Sequence, residues 1–169
     1  MEALAGRLSV ALRKPLLRRY RIGSAEGPGG RIVLVQPLTF MNRSGEVADR
    51  LIAAHGSTGY LVVHDSMDLS PGHLRFRLKG SSGGHKGLAS LIAALGTEDF
   101  PRLAVGVGRP SSRENVIDHV LSAPSGDDAL RFRESIEAAA EAVLAYSRDG
   151  AAKVMNEFNR KEVPPSRGG

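Results

Sequence analysis

The residues with chemical potential cluster between Leu61 and Leu88 of this 169-residue chain. The stretch "LVVHDSMDLSPGHLRFRLKGSSGGHKGL" opens as an apolar run and stops at His64-Asp65. A second acid, Asp68, follows, then an alternating basic stretch, then a glycine-rich loop with His85 and Lys86. A carboxylate held at a strand end can orient an imidazole and stabilise its charged form. The carboxyl ends of strands are also where α/β sheets bind ligands. Taken alone, Asp65 reads as a turn cap or an arginine's partner, and His85 as a structural residue near a helix start. The loop "KGSSGGHKG" does not end in Gly-Lys-Ser/Thr, which argues against a nucleoside triphosphate site. Its glycines let the backbone approach a substrate, and the helix it feeds offers free N–H groups to an anion. A second stretch, "QPLTFMNRSG" from Gln36 to Gly45, places Phe40, Met41 and Asn42 where strand gives way to helix. In isolation Asn42 is a helix cap. Its carboxamide can equally hold a carbonyl or a water. The histidines, five in all, have no metal-ligand spacing, so no metal is expected.

Positioning these residues takes an interleaved set of strands and helices. Met1, Leu4, Leu8 and Leu12 have the spacing of one helix face, ended by Pro15. "LLRRYRIGSA" reads as a strand, "EGPGG" as a turn, and "RIVLVQP" as a short buried strand stopped by Pro37. "SGEVADRLIAAHG" predicts a helix with Ser44 at its N-cap, Val47, Leu51 and Ile52 inward, and Gly56 past its end. "YLVVHD" lacks alternation and predicts a strand buried on both faces. In "HLRFRLK", Leu74, Phe76 and Leu78 share one face, while His73, Arg75, Arg77 and Lys79 share the other. Leu88, Leu91, Ile92 and Leu95 define a helix closed by Gly96. "LAVGVG" is a further buried strand. Two or three helices follow, the longest from about Asp127 to Tyr146. There is no internal repeat. The expected fold is α/β, a single-domain three-layer sandwich with a mixed, mostly parallel sheet. Residues 1–161 form the domain and 162–169 a disordered tail.

Composition bounds the function. Apolar residues make up 41% and charged residues 24%, as in ordinary globular domains. There is no cysteine, which excludes disulfides, thiolate metal sites and a cysteine nucleophile. No apolar run is long enough to span a bilayer, and no secretory signal pattern is seen at Met1. Lys plus Arg outnumber Asp plus Glu by 23 to 18, a balance compatible with a polyanionic partner.

Together, "PLTFMNRSG", "LVVHDSMDLSPG", "GSSGGHKGLASLIAALGTEDFPRLAVGVGRP" and the terminal "FNR" resemble bacterial peptidyl-tRNA hydrolases. The resemblance runs in register from about Leu4 to Arg160. It implies an α/β enzyme with a mixed sheet, cytoplasmic, monomeric and without metal or cofactor. It implies cleavage of the ester between a peptide and the 3′ end of tRNA, with tRNA as the partner. Asn42 matches the asparagine that contacts substrate and positions water, and Phe40 the phenylalanine of the same tRNA-contacting motif. Asp65 matches the aspartate that partners the catalytic histidine. His85 matches the histidine of the substrate loop, and Arg77 falls where a basic residue contacts tRNA phosphate. Lys86 replaces the loop's asparagine, and Ala104 stands where a second tRNA-binding arginine can occur. The acidic run after Asp65 is reduced to Ser66-Met67-Asp68.

The family's opening strand, Asn-Pro-Gly turn and general-base histidine have no counterpart here. None of the five histidines matches that base. A recorded start that lies too late in the gene is therefore expected, and the 169 residues as given are expected to be inactive. The alternative is a catalytically inactive hydrolase-like protein that keeps RNA affinity through Arg75, Arg77, Lys79 and Lys86.

Overall fold

A computed structural model describes residues 1–55, 59–109 and 126–159. Among them run helix α1 (Glu2–Arg7), strands β1 (Tyr20–Gly27) and β2 (Gly30–Pro37), a 3-10 turn (Met41–Arg43) and α2 (Gly45–His55). There follow β3 (Val62–Ser66), β4 (Leu74–Arg77), α3 (Lys86–Leu95) and β5 (Arg102–Gly106). The chain continues with α4 (Gly126–Asp149) and α5 (Ala151–Phe158). Gly56 and the 162–169 tail lie outside the described residues.

The strands form two sheets. β1 and β2 make an antiparallel hairpin, and the other sheet has the order β3-β5-β4. β3 runs parallel to β5, with Asp65 opposite Val105; β4 runs antiparallel to β5. The three-stranded sheet is mixed, with one parallel and one antiparallel pairing among the described residues, as the α/β expectation has it. The tight Gly27–Gly30 turn leaves β1 and β2 no option but antiparallel pairing, since parallel strands need a long crossover.

β5 is the most enclosed strand. Leu103 and Val105 face Ala139, Ala142 and Ala145 of α4 and Val154 of α5, with Leu74 and Phe76 beside them. Alanines on α4 let that helix lie close against the sheet, and the removal of this apolar surface from water is the main stabilising term. A smaller cluster joins Leu4, Ala5, Leu34 and Ala140. Arg7 anchors α1 to α4 through Glu137 (3.0 Å) and Glu141 (2.7 Å).

Several sequence expectations need correction. The first helix stops at Arg7, not at Pro15. Ser9 takes a positive φ of 51°, and Arg13 bridges to Ile22, so the chain has already turned to serve the hairpin. Leu8 and Leu12 still pack into the small cluster, so their spacing marks burial without helix. β2 buries only Leu34 because the hairpin has one covered face. β3 is not buried on both faces either: Val63 is 45% exposed, as befits a strand at the edge of its described sheet. β4 alternates as expected at Leu74, Arg75, Phe76 and Arg77, then ends; Leu78 falls beyond the strand and is exposed. The helix expected from Leu88, Leu91, Ile92 and Leu95 is present as Lys86–Leu95, with Gly96 at φ 68° accepting the left-handed cap geometry.

Candidate active site

The site forms where β3 ends and α3 begins. His85 is the N-cap residue of α3, and its Nδ1 accepts the Leu88 N–H at 3.1 Å. Its Nε2 lies 3.1 Å from Asp65 Oδ1. A ring nitrogen that accepts a hydrogen bond carries no proton, so the neutral tautomer places hydrogen on Nε2, which donates to Asp65. Both nitrogens of His85 are therefore engaged, and the ring has no open lone pair with which to take a proton from water. The His85 contact holds the Asp65 carboxyl below its ordinary pKa, and burial opposes this. Asp65 is thus ionised at neutral pH.

His64 precedes Asp65 on the strand. Its Nδ1 lies 2.7 Å from the Asp65 carbonyl oxygen, to which Nδ1–H donates. Burial pushes the His64 pKa down, and the carbonyl bond pulls it partway back. The ring is accordingly neutral near pH 7, with Nε2 as its unprotonated nitrogen. The two imidazoles meet edge to face, with centroids 5.0 Å apart.

The Met41–Arg43 turn docks against the start of α3. A Cβ on Gly87 would come within 2.7 Å of Met41 Sδ and 2.9 Å of His85 Cε1, so glycine permits the approach. A Cβ on Gly45 would lie 2.2 Å from the Ser90 carbonyl oxygen, and the Gly45 N–H donates to Ser90 Oγ at 3.0 Å. Ser44 does not cap α2 in the expected sense. Its hydroxyl donates backward to the Met41 carbonyl oxygen at 2.9 Å, which rigidifies the turn instead. Phe40 is 79% exposed, and Asn42 is exposed too, with no side-chain hydrogen bond among the described residues. The structure thus joins Asp65 to His85 and puts the Asn42 turn beside the same helix start.

The other candidates are more dispersed. Arg75 and Arg77 are exposed on one face of β4, and Lys79 and Lys86 are exposed as well. Asp68 pairs with Arg109, which lowers its pKa, and Arg75 adds to the effect through its charge. Ala104 sits inside β5, between His64 and Arg75. No group of three His, Cys, Asp or Glu side chains placed to hold a metal ion occurs among the described residues.

Sequence reasoning missed Arg102. This arginine is buried at the start of β5 and donates to the carbonyls of Ser81 (3.1 Å) and Glu98 (2.9 Å). Its guanidinium stacks 4.2 Å over the Phe100 ring, a cation–π contact. It ties the base of the glycine-rich loop to the sheet. The signal that could have found it is a charge inside an otherwise apolar strand. Asn159, part of the terminal "FNR", has a structural task. Its Oδ1 accepts the Phe76 N–H at 2.6 Å and its Nδ2 donates to the Phe76 carbonyl at 3.0 Å. A side chain thereby pairs the outer edge of β4 as a strand would.

Ionised acid and imidazole at the strand ends of a mixed sheet place the chain among α/β enzymes with acid–base chemistry at that edge. A family model described as peptidyl-tRNA hydrolase matches residues 1–166. A peptidyl-tRNA hydrolase of Halalkalibacterium halodurans is 39% identical over 161 residues, covering 94% of this chain and 86% of that protein. One from Enterococcus faecalis is 44% identical over 135 residues, 78% of this chain and 71% of the relative. The crystal structure of peptidyl-tRNA hydrolase from Acinetobacter baumannii superposes with a TM-score of 0.86 at 28% identity, covering 95% of this chain and 83% of that one. The chain belongs to the peptidyl-tRNA hydrolase family, an enzyme family.

Proposed function

We propose that this chain serves hydrolysis of the ester between a peptide and tRNA. Water adds to the ester carbonyl carbon, the bond to the ribose oxygen breaks, and the ribose hydroxyl leaves with a proton. The observation that carries the reading is the Asp65–His85 contact beside the exposed Asn42 turn, in a chain of this family. Asn42, with its carboxamide open to solvent, is assigned to hold the scissile carbonyl or the attacking water. Phe40 on the same turn is assigned to the nucleic-acid end of the substrate. Asp65 supplies the negative charge that orients an imidazole and stabilises it once protonated. His85 and Lys86 belong to the substrate loop, and Arg77 to a phosphate of the tRNA.

A base must still take the proton from water. His85 has no open nitrogen, and none of the five histidines matches the family's base. We assign Asp65 and Asn42 to the site, and the base role is tested by supplying free imidazole. Free imidazole should then stimulate hydrolysis of N-acetylaminoacyl-tRNA by this chain. Asp65→Asn should remove the stimulation. Tight tRNA binding with no hydrolysis at any imidazole concentration would return the chain to an RNA-binding role. Basal hydrolysis that vanishes in His64→Ala would move the base role to His64.

Residues 1–161 are assigned to one domain with a short tail at 162–169. A cytoplasmic monomer is the working form that suits a substrate released during translation. No helix among the described residues is long and apolar enough to cross a membrane. Light scattering across a range of protein concentrations tests the monomer.

A further inference from the structure

A depression of about 240 Å³ opens where the start of β1 meets the start of α2, beside the Met41–Arg43 turn. Arg18, Arg19, Arg43 and Arg50 line it, together with Thr39 and Glu46. Four guanidiniums surround one carboxylate. Glu46 is paired with Arg43 at 2.5 Å. Among the described residues no carboxylate lies within ion-pair distance of Arg18, Arg19 or Arg50. The pocket therefore carries excess positive charge, with the donors of Arg18, Arg19 and Arg50 unspent.

The rim is apolar and exposed. Leu16 is 88% exposed and Leu17 94%, and Phe40 stands on the neighbouring turn. Leu17 also holds a positive φ of 59°, uncommon for a residue other than glycine. The backbone is pinned on either side of it: Arg18 N–H donates to the Pro15 carbonyl and Leu38 N–H to the Arg19 carbonyl. A fixed loop thus presents two arginines to solvent beside surfaces on which a base can rest.

We propose that this arginine pocket binds a backbone phosphate of the tRNA whose ester lies at Asn42. The inference rests on the tRNA reading given above and adds a site to it. The geometry supports one continuous track. Asn42 and Arg43 are adjacent on the same turn, with the carboxamide open to solvent and the guanidinium in the pocket. Bidentate guanidinium–phosphate pairing and stacking on exposed aromatic side chains such as Phe40 are the two usual means of holding single-stranded nucleic acid.

The test uses fluorescently labelled tRNA and anisotropy across a salt series. The triple variant Arg18→Ala/Arg19→Ala/Arg50→Ala should bind more weakly. Its dependence of log affinity on log salt should be shallower by ~0.7–0.9 for each phosphate that the pocket no longer neutralises. All three side chains are exposed, so thermal melting should match the wild type and exclude a folding defect. The matching Lys triple variant should recover part of the slope. A triple-Ala variant with the wild-type affinity and slope, alongside an Arg77→Ala variant with a shallower slope, would overturn the pocket and leave the tRNA reading intact. A wild-type protein that does not bind tRNA would overturn both. A triple-Ala variant that no longer binds inorganic phosphate but keeps tRNA at full affinity would also overturn RNA occupancy of the pocket.

Discussion

The Asp65 cluster and the Asn42 turn are neighbours built on opposite plans. At Asp65 the polar groups are partly buried and satisfied by one another: His85 to Asp65, Leu88 N–H to His85, His64 to the Asp65 carbonyl. At the turn, Phe40 and Asn42 point into solvent, and Ser44 spends its hydroxyl on the backbone. Mutual pairing fixes geometry and shifts pKa values, as acid–base chemistry requires. Unpaired, exposed groups on a rigid turn keep their bonds for a ligand. Chemistry is prepared in one region and recognition in the other, and Gly87 is the seam where they touch.

Breaking that seam should have a large effect. Gly87→Val would drive side-chain atoms into Met41 Sδ and the His85 ring, so one of these side chains must shift. Misplacement of about 1 Å can cost ~10²-fold in rate. With imidazole present, turnover should fall by that order while circular dichroism keeps the wild-type helix content. An unchanged rate would mean that the two regions need no fixed relation.

The recognition side is sharpened by Arg77→Ala. The salt dependence of tRNA binding should weaken by about one phosphate, ~0.9 in the log–log slope. A variant with the parent slope would remove Arg77 from the binding face.

The pH response probes the paired side. Burial lowers the folded pKa of His64 below its ordinary 6.5. The unfolded chain therefore takes up that proton first as pH falls, and the folded state loses stability below about pH 6.5. Asp65 acts in the same direction at lower pH: its depressed pKa gives stability that is present above the ordinary 3.8 and lost as pH falls through the folded value. Melting temperature should decline between neutral pH and about pH 5.5, and His64→Gln should flatten that decline. An equal decline in the variant would place the responsible group elsewhere.

The smallest effect is expected at Lys86. It is exposed, at the first position of α3, with no ion pair among the described residues. Lys86→Asn should leave turnover equal or slightly higher. Weaker RNA binding in this variant would instead favour a phosphate role for the lysine.

These differences track what could be read from residue order. Asp65 at a strand end, the β4 alternation and the Gly96 cap follow from local periodicity and cap chemistry, and all three hold. Burial of β3 could not be read, because a continuous apolar run does not reveal whether both edges and faces are covered. The length of α1 failed for a similar reason. Leu8 and Leu12 are recruited by a tertiary cluster, which helix spacing alone does not distinguish from a helix. The pairing of Asp65 with His85 spans 20 positions and depends on how α3 docks at the strand end. The engagement of both His85 nitrogens also needs the Leu88 amide in three dimensions. Arg102 shows in the sequence only as a charge beside an apolar strand; its role lies in two backbone carbonyls, which residue order does not mark.

The division between chemistry and recognition is tested most directly by Asp65→Asn. Hydrolysis of N-acetylaminoacyl-tRNA and equilibrium tRNA binding should be measured on the same preparation, with imidazole present throughout. The expected result is a fall in kcat of ~10²–10⁴-fold, the usual worth of general acid–base assistance, with tRNA affinity nearly unchanged. A variant that hydrolyses at the parent rate, or one whose only defect is weaker tRNA binding, would contradict that division.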